Sequence, residues 1–147
     1  MGKYAPSVSS SWTSGMRRFI VSMDELKNTL DAAQDLGYEI AHVGLNMPGA
    51  DEALVLANTL NKAFGFNVKV GNSSIFASPE IEINKYMGRG VHGHLAVRTT
   101  SIELAIADLE QKGYTVLPDT AKFKNGRMIA VYLEQEFGGF AIHLLQK

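Results

Sequence analysis

The sequence predicts an α+β fold in which two βαβββ modules share one cupped, mixed sheet. Three observations predict it. Two stretches read alike, Glu39–Asn46 (EIAHVGLN) and Val91–Arg98 (VHGHLAVR), each with a histidine, His42 or His94, one residue before alternating aliphatics. Each stretch then runs into a helix-patterned segment that ends at a glycine, Gly65 or Gly113. Each half later closes on an apolar–polar–apolar strand, Ile81-Glu82-Ile83 in the first and Ile142-His143-Leu144 in the second. A fixed order of elements met twice is the signature of an internal repeat.

In chain order, residues 1–15 are rich in Ser and Gly and read as a flexible arm, with Trp12 as its docking residue. They carry no charged leader ahead of an apolar core, so they do not read as a signal peptide. Residues 16–38 read as an extra strand, Arg18–Ser22, and an extra helix, Met23–Leu36, stopped by Gly37. Ser22 and Glu25 have the spacing of a capping box at its start. The repeat fills 39–147, with module one over 39–86 and module two over 91–147.

In module one, Pro48-Gly49 turns the chain into a helix at Asp51–Phe64, with Leu54, Ala57, Leu60 and Phe64 as its apolar positions. Strands are expected at Asn67–Val70, Ser73–Ala77 and Glu80–Lys85, with Gly71-Asn72 and Ser78-Pro79 at the turns. In module two, Thr100 and Glu103 make the capping-box pair of a helix at Ser101–Lys112 that buries Ile102, Ala105, Ile106 and Leu109. Strands follow at Tyr114–Leu117, Met128–Glu134 and Phe140–Gln146, with Asn125-Gly126 and Gly138-Gly139 as turn signals.

Side chains alternate across a strand, so the pattern sorts the residues into two faces. Val43, Leu45, Ile81, Ile83, Leu95, Val97, Ile142 and Leu144 turn toward the helices. His42, Glu82, His94 and His143 turn into the cup, joined by parity with Arg98, Tyr132 and Glu134.

Composition narrows the function classes. At 147 residues and 46% hydrophobic, the chain can bury one core. A net charge of −1 without long runs of one sign gives no footprint for nucleic acid. No apolar run approaches the roughly 20 residues of a membrane helix, so a membrane is not expected as a partner. The absence of cysteine excludes disulfides, thiolate ligands and a cysteine nucleophile, and fits a cytoplasmic location. There is no Gly-x-Ser-x-Gly elbow and no phosphate-cradling Gly-rich loop.

The runs Ala41-His42-Val43-Gly44-Leu45, Gly93-His94-Leu95-Ala96-Val97, Ile81-Glu82-Ile83 and Ile142-His143-Leu144 resemble the vicinal-oxygen-chelate superfamily, the glyoxalase, bleomycin-resistance and dihydroxybiphenyl-dioxygenase group. A narrower likeness lies in Gly71–Phe76, Glu80–Lys85, Gly93–Ala96 and Gly138–Lys147. These look like the glyoxalase-like domain appended to some bacterial 2-keto-3-deoxy-6-phosphogluconate and 4-hydroxy-2-oxoglutarate aldolases. The aldolase barrel has no room here, since it takes about 200 residues or more.

The resemblance implies a divalent metal in the cup, held by His42, Glu82, His94 and His143. Neutral imidazole and carboxylate suit zinc, nickel, manganese or iron. At the position of His143 glyoxalase-type members carry a glutamate that binds metal and moves the substrate proton. Histidine there could be ligand, base or both. Arg98 and Tyr132 are the expected substrate contacts. Glu80 and His92 are the weaker alternatives to Glu82 and His94, and Lys122, Lys124 and Arg127 around Asn125-Gly126 could meet a phosphate. The expected activity is that of a metal-dependent lyase or isomerase of a small anionic metabolite, a keto acid or sugar phosphate. The alternatives are a non-catalytic metabolite-binding or aldolase-accessory module and a ferrous extradiol-type dioxygenase. The resemblance also implies a homodimer and, as a further partner, an aldolase.

Overall fold

The computed structural model describes residues 22–24 and 35–147. The arm over 1–15 with Trp12, and most of the extra strand and helix over 16–38 with the Ser22–Glu25 cap, fall outside the described residues. From residue 39 onward the elements are β1 (Glu39–Asn46), α1 (Ala50–Phe64), β2 (Lys69–Val70), β3 (Ser74–Ser78), β4 (Ile81–Asn84), β5 (Gly93–Thr99), α2 (Ile102–Gln111), β6 (Val116–Lys124), β7 (Arg127–Phe137) and β8 (Phe140–Gln146). This is βαβββ twice, in an α+β arrangement.

All eight strands form one sheet in the order β2-β3-β4-β1-β5-β8-β7-β6. Read from either edge the order is the same once four is added to each number, so the halves are related by a pseudo-twofold axis. The axis runs between β1 and β5, which pair antiparallel with Val43 opposite Leu95. Within each half the opening strand lies parallel to the closing one, β1 on β4 and β5 on β8. The remaining neighbours are antiparallel, so the sheet is mixed.

Each half has its own apolar core between helix and sheet. In the first, Ala53 and Ala57 of α1 meet Ile75, Ala77 and Ile83, with Leu56 and Leu60 packed beside them. In the second, Ile102 of α2 meets Val131, Leu133, Ile142 and Leu144, with Ile106 and Leu109 alongside. The buried face of α2 is the expected one. That of α1 is rotated: Ala53, Leu56, Ala57 and Leu60 follow the i, i+3, i+4, i+7 spacing of a packed face. Leu54 and Phe64 are instead exposed, at 44% and 68%. Two small alanines let the helix lie close on the sheet, and that close approach decides the face over side-chain size.

Two further expectations shift. The start of α2 is capped by Ser101, whose hydroxyl accepts from the Leu104 amide at 3.3 Å. Thr100 is not the cap; its hydroxyl donates to the Asp35 carbonyl. The strands either side of Asn125-Gly126 are longer than predicted, because these two residues adopt positive φ (51° and 74°) and form a tight hairpin turn. Lys122 and Lys124 are therefore strand residues of β6.

The two phases of α1 are separable by stability. Ile83→Ala, at a fully buried core position, is expected to lower unfolding free energy in urea by about 2–5 kcal/mol. Leu54→Ala should stay within about 0.5 kcal/mol of the parent, as exposed substitutions do.

Candidate metal centre

The cup-face residues alternate between long and small along two neighbouring rows of the sheet. In one row Glu82 of β4 stands opposite Gly44 of β1, and Gly44 stands opposite His94 of β5. In the next, His42 of β1 faces Ala96 of β5, Ala96 faces His143 of β8, and His143 faces Tyr132 of β7. The pseudo-twofold axis exchanges His42 with His94, Gly44 with Ala96, Glu82 with His143, and Phe76 with Tyr132. Contacts follow the same exchange: the His42 ring meets Phe76 edge-on at 5.6 Å, and the His94 ring meets Tyr132 edge-on at 6.2 Å.

The small residues are what allow the long ones to converge. A Cβ added to Gly44 would lie 2.0 Å from Cε1 of His94, inside the space the imidazole occupies. Earlier on β1 itself the register against β5 shifts between Ile40 and His42, leaving Ala41 without a partner. Such a bulge twists a strand locally and re-aims the side chain that follows it. Here that side chain is His42.

Three side-chain atoms meet as a result. His42 Nε2 lies 3.0 Å and His94 Nε2 3.1 Å from Oε2 of Glu82, and the two nitrogens are 3.1 Å apart. Ser74 donates to the other Glu82 oxygen at 2.8 Å, which fixes the carboxylate plane. The near-equilateral triangle has the dimensions of one face of an octahedron with metal–ligand bonds of about 2.1 Å. Two imidazoles and a carboxylate are donors for zinc, nickel, manganese or iron, so the group could hold a divalent ion. The site is sheltered yet reachable, since side-chain exposure is 15% for His42, 18% for Glu82 and 6% for His94.

Charge is distributed unevenly over the cup. Hydrogen bonds from His42 and then His94 hold the Glu82 carboxyl well below the usual carboxylate range, against the opposing effect of burial, so it is ionised. Its symmetry mate, His143, is different. The His143 ring stacks on Tyr132 with centroids 4.0 Å apart and planes 1° apart, and meets His94 edge-on at 5.7 Å. Its Nε2 is buried and has no hydrogen-bond partner among the described residues. Burial, then the neighbouring His94, pushes its pKa down to about 4, so it is neutral at physiological pH. Burial, then the Glu82 charge, pushes the Tyr132 phenol up to about 12 and keeps it protonated.

Of the residues expected from sequence, His42, Glu82 and His94 thus form the tight group, with His143 and Tyr132 stacked beside it. Arg98 lies elsewhere. It is four residues beyond His94 on β5, about 13 Å along the strand, and its Nε is 3.4 Å from Glu39, which Lys147 also engages at 3.3 Å. Glu80 bonds Ser78 at an exposed turn, and His92 packs on Phe140 outside the group. The backbone amide of Glu134 donates to the Thr115 carbonyl, and its side chain is exposed. Ser74, Gly44 and Arg89, whose guanidinium lies 5.5 Å over the Tyr132 ring, were not singled out by sequence. Only Gly44 carried a signal, as a glycine at a strand centre.

No protein-family model matches the sequence, and no curated protein matches it. Solved structures do match. A hypothetical protein from Bacillus halodurans superposes with a TM-score of 0.52 at 13% identity, over 75% of this chain and 94% of its own. A methylmalonyl-CoA epimerase gives 0.51 at 19% identity, over 73% and 93%. A variant of the Streptomyces coelicolor methylmalonyl-CoA epimerase, in complex with 2-nitronate-propionyl-CoA, gives 0.51 at 18% identity, over 74% and 93%. At these identities the likeness establishes the glyoxalase-like fold. Among the described residues no helix is long and apolar enough to cross a membrane.

Two measurements bear on this geometry. Gly44→Ala should keep the protein folded by circular dichroism while weakening cobalt uptake, followed by absorption titration, at least about tenfold, or 1.4 kcal/mol. In chelator-treated protein, stability should rise with pH between about 4 and 6.5, because only the unfolded chain binds a proton at residue 143 in that window. The slope contributed is at most about 1.4 kcal/mol per pH unit, and His143→Gln should flatten it in thermal melts. Below that window the loss of Glu82 ionisation destabilises the fold further.

Proposed function

We propose that the chain is a metal-dependent isomerase or lyase of the vicinal-oxygen-chelate kind, acting on a small oxygenated anion such as a keto acid or sugar phosphate. The observation that carries this reading is the triangle of His42, Glu82 and His94 beside a neutral imidazole whose Nε2 has no hydrogen-bond partner among the described residues. A divalent ion would supply Lewis acidity, making a C–H next to a substrate carbonyl more acidic. His42 and His94 would orient the ion from both halves of the sheet, and Glu82, fixed by Ser74, would offset part of its charge. His143 would take the substrate proton at Nε2 and return it, which leaves no net change in the enzyme. The His143 imidazole is unprotonated at working pH, as a proton acceptor must be. Tyr132 would keep the ring aligned by stacking. An epimerase among the proteins that share the fold is in keeping with this reaction type.

Two histidines and one carboxylate are also the ligand set of ferrous oxygenases, which supports a dioxygenase as the second reading. A homodimer remains part of the proposal, supported by apolar side chains left exposed on the helices, Leu54, Val55 and Leu104 among them; an aldolase partner rests on the sequence resemblance alone.

Deuterium exchange decides between the reaction types. Metal-loaded protein in D₂O, offered a panel of 2-keto acids and acyl thioesters, should exchange the proton beside the carbonyl, read by NMR. His42→Ala should abolish both metal binding and exchange. His143→Gln should slow exchange by about 10²–10⁴-fold, the usual weight of a general base, while metal affinity stays within a few-fold. Oxygen uptake by the iron form without exchange would favour the dioxygenase.

A further inference from the structure

The half of the cup around Tyr132 carries two cations with no counter-ion among the described residues. Arg89 belongs to the segment joining β4 to β5 and is exposed, with its guanidinium over the Tyr132 ring. Lys122 of β6 stands opposite Ala130 of β7, two residues from Tyr132 and on the same face of the sheet, so it too borders the cup. Among the described residues neither cation has a carboxylate within 4.0 Å, whereas Arg98 and Lys147 share Glu39.

Arg89 is held in place through its backbone. The Asn46 side-chain amide donates to the carbonyls of Gly88 and Gly90 at 3.2 and 3.0 Å and reaches that of Arg89 at 3.4 Å. Its oxygen accepts from the Gly88 amide and from Asn84, at 3.1 and 3.0 Å. An exposed joining segment of no regular structure would not ordinarily present one guanidinium to one ring. This fourfold grip by a residue at the end of β1, itself braced by Asn84 of β4, makes it do so.

The geometry points to an anion subsite, formed by Arg89 and Lys122 around Tyr132, that takes the carboxylate or phosphate of a substrate whose other end meets the His42–Glu82–His94 group. The inference deepens the metal-dependent reading and rests on it for the orientation of the substrate. Arg89 is then a specificity-determining residue, in the place sequence reasoning gave to Arg98. Asn46 is a positioning residue that acts through it. A guanidinium fork suits two oxygens of one anion, and a lysine adds a second charge without geometric demand.

Inorganic phosphate is the probe, titrated calorimetrically at low salt into the protein as purified and after cobalt loading. The parent should bind phosphate, and Arg89→Gln and Lys122→Gln should each weaken it at least about tenfold, with Arg98→Gln within twofold of the parent. Asn46→Ala should weaken phosphate binding as Arg89→Gln does, and combining the two should add little further. Cobalt absorption reports the three-ligand group separately. A parent that takes up no cobalt yet binds phosphate through Arg89 and Lys122 leaves the subsite standing and removes the metal reading. Undetectable phosphate binding by the parent, or equal binding by the parent and the Arg89→Gln and Lys122→Gln variants, overturns the subsite.

Discussion

The antiparallel pairing of β1 with β5 is the interaction on which the rest depends. It joins the two halves of the sheet edge to edge, and its register puts His94 against Gly44 and His42 against Ala96. A shift of one residue would turn each histidine to the helix side, because side-chain direction alternates along a strand. The pairing is secured at both ends. At one, Glu39 lies opposite Arg98 and forms an ion pair with it; at the other, the Asn46 backbone amide donates to the His92 carbonyl while the Asn46 side chain grips the joining segment. Between these ends the two strands contribute one imidazole and one small residue each, so neither histidine can reach the centre without the gap offered by its neighbour.

Symmetry explains the placement of the residues, and its breaking explains what they can do. A symmetric set would carry the same group at positions 82 and 143. Instead one is an ionised carboxylate held by both histidines, and the other a neutral imidazole whose buried Nε2 has no hydrogen bond among the described residues. The first compensates positive charge; the second can accept a proton. Each property follows from local surroundings: Ser74 and two imidazoles around Glu82, a tyrosine ring and burial around His143. Division of tasks between two equivalent positions needs no change in backbone.

Alternation and repetition are strong signals in one dimension, and they made the two modules, the cup face and the grouping of His42, Glu82 and His94 legible in the sequence. What was not legible depends on distances between segments. Leu54 and Phe64 look like a helix face until two alanines, which no hydrophobicity pattern favours, bring α1 down on Ile75 and Ile83. Thr100 and Ser101 compete for one cap, and the choice is made by Asp35, which accepts the Thr100 hydroxyl. Arg98 has the right parity for the cup but lies four residues along β5 from His94 and pairs with Glu39 instead. Arg89 sits in a segment with no periodicity at all, and only the Asn46 contacts reveal where it points.

The candidate ligands come from both sides of the β1–β5 seam, and this ties two quantities together. Whatever binds His42, Glu82 and His94 at once also clasps one half of the molecule to the other, with the strength of its own affinity. By reciprocity, the opened seam must bind that ligand more weakly by the same factor by which the ligand favours the closed one. Fasteners such as the Glu39 cluster and the Asn46 grip therefore belong to the chemistry as much as to the architecture. In this fold, holding the halves together and holding a ligand are one equilibrium.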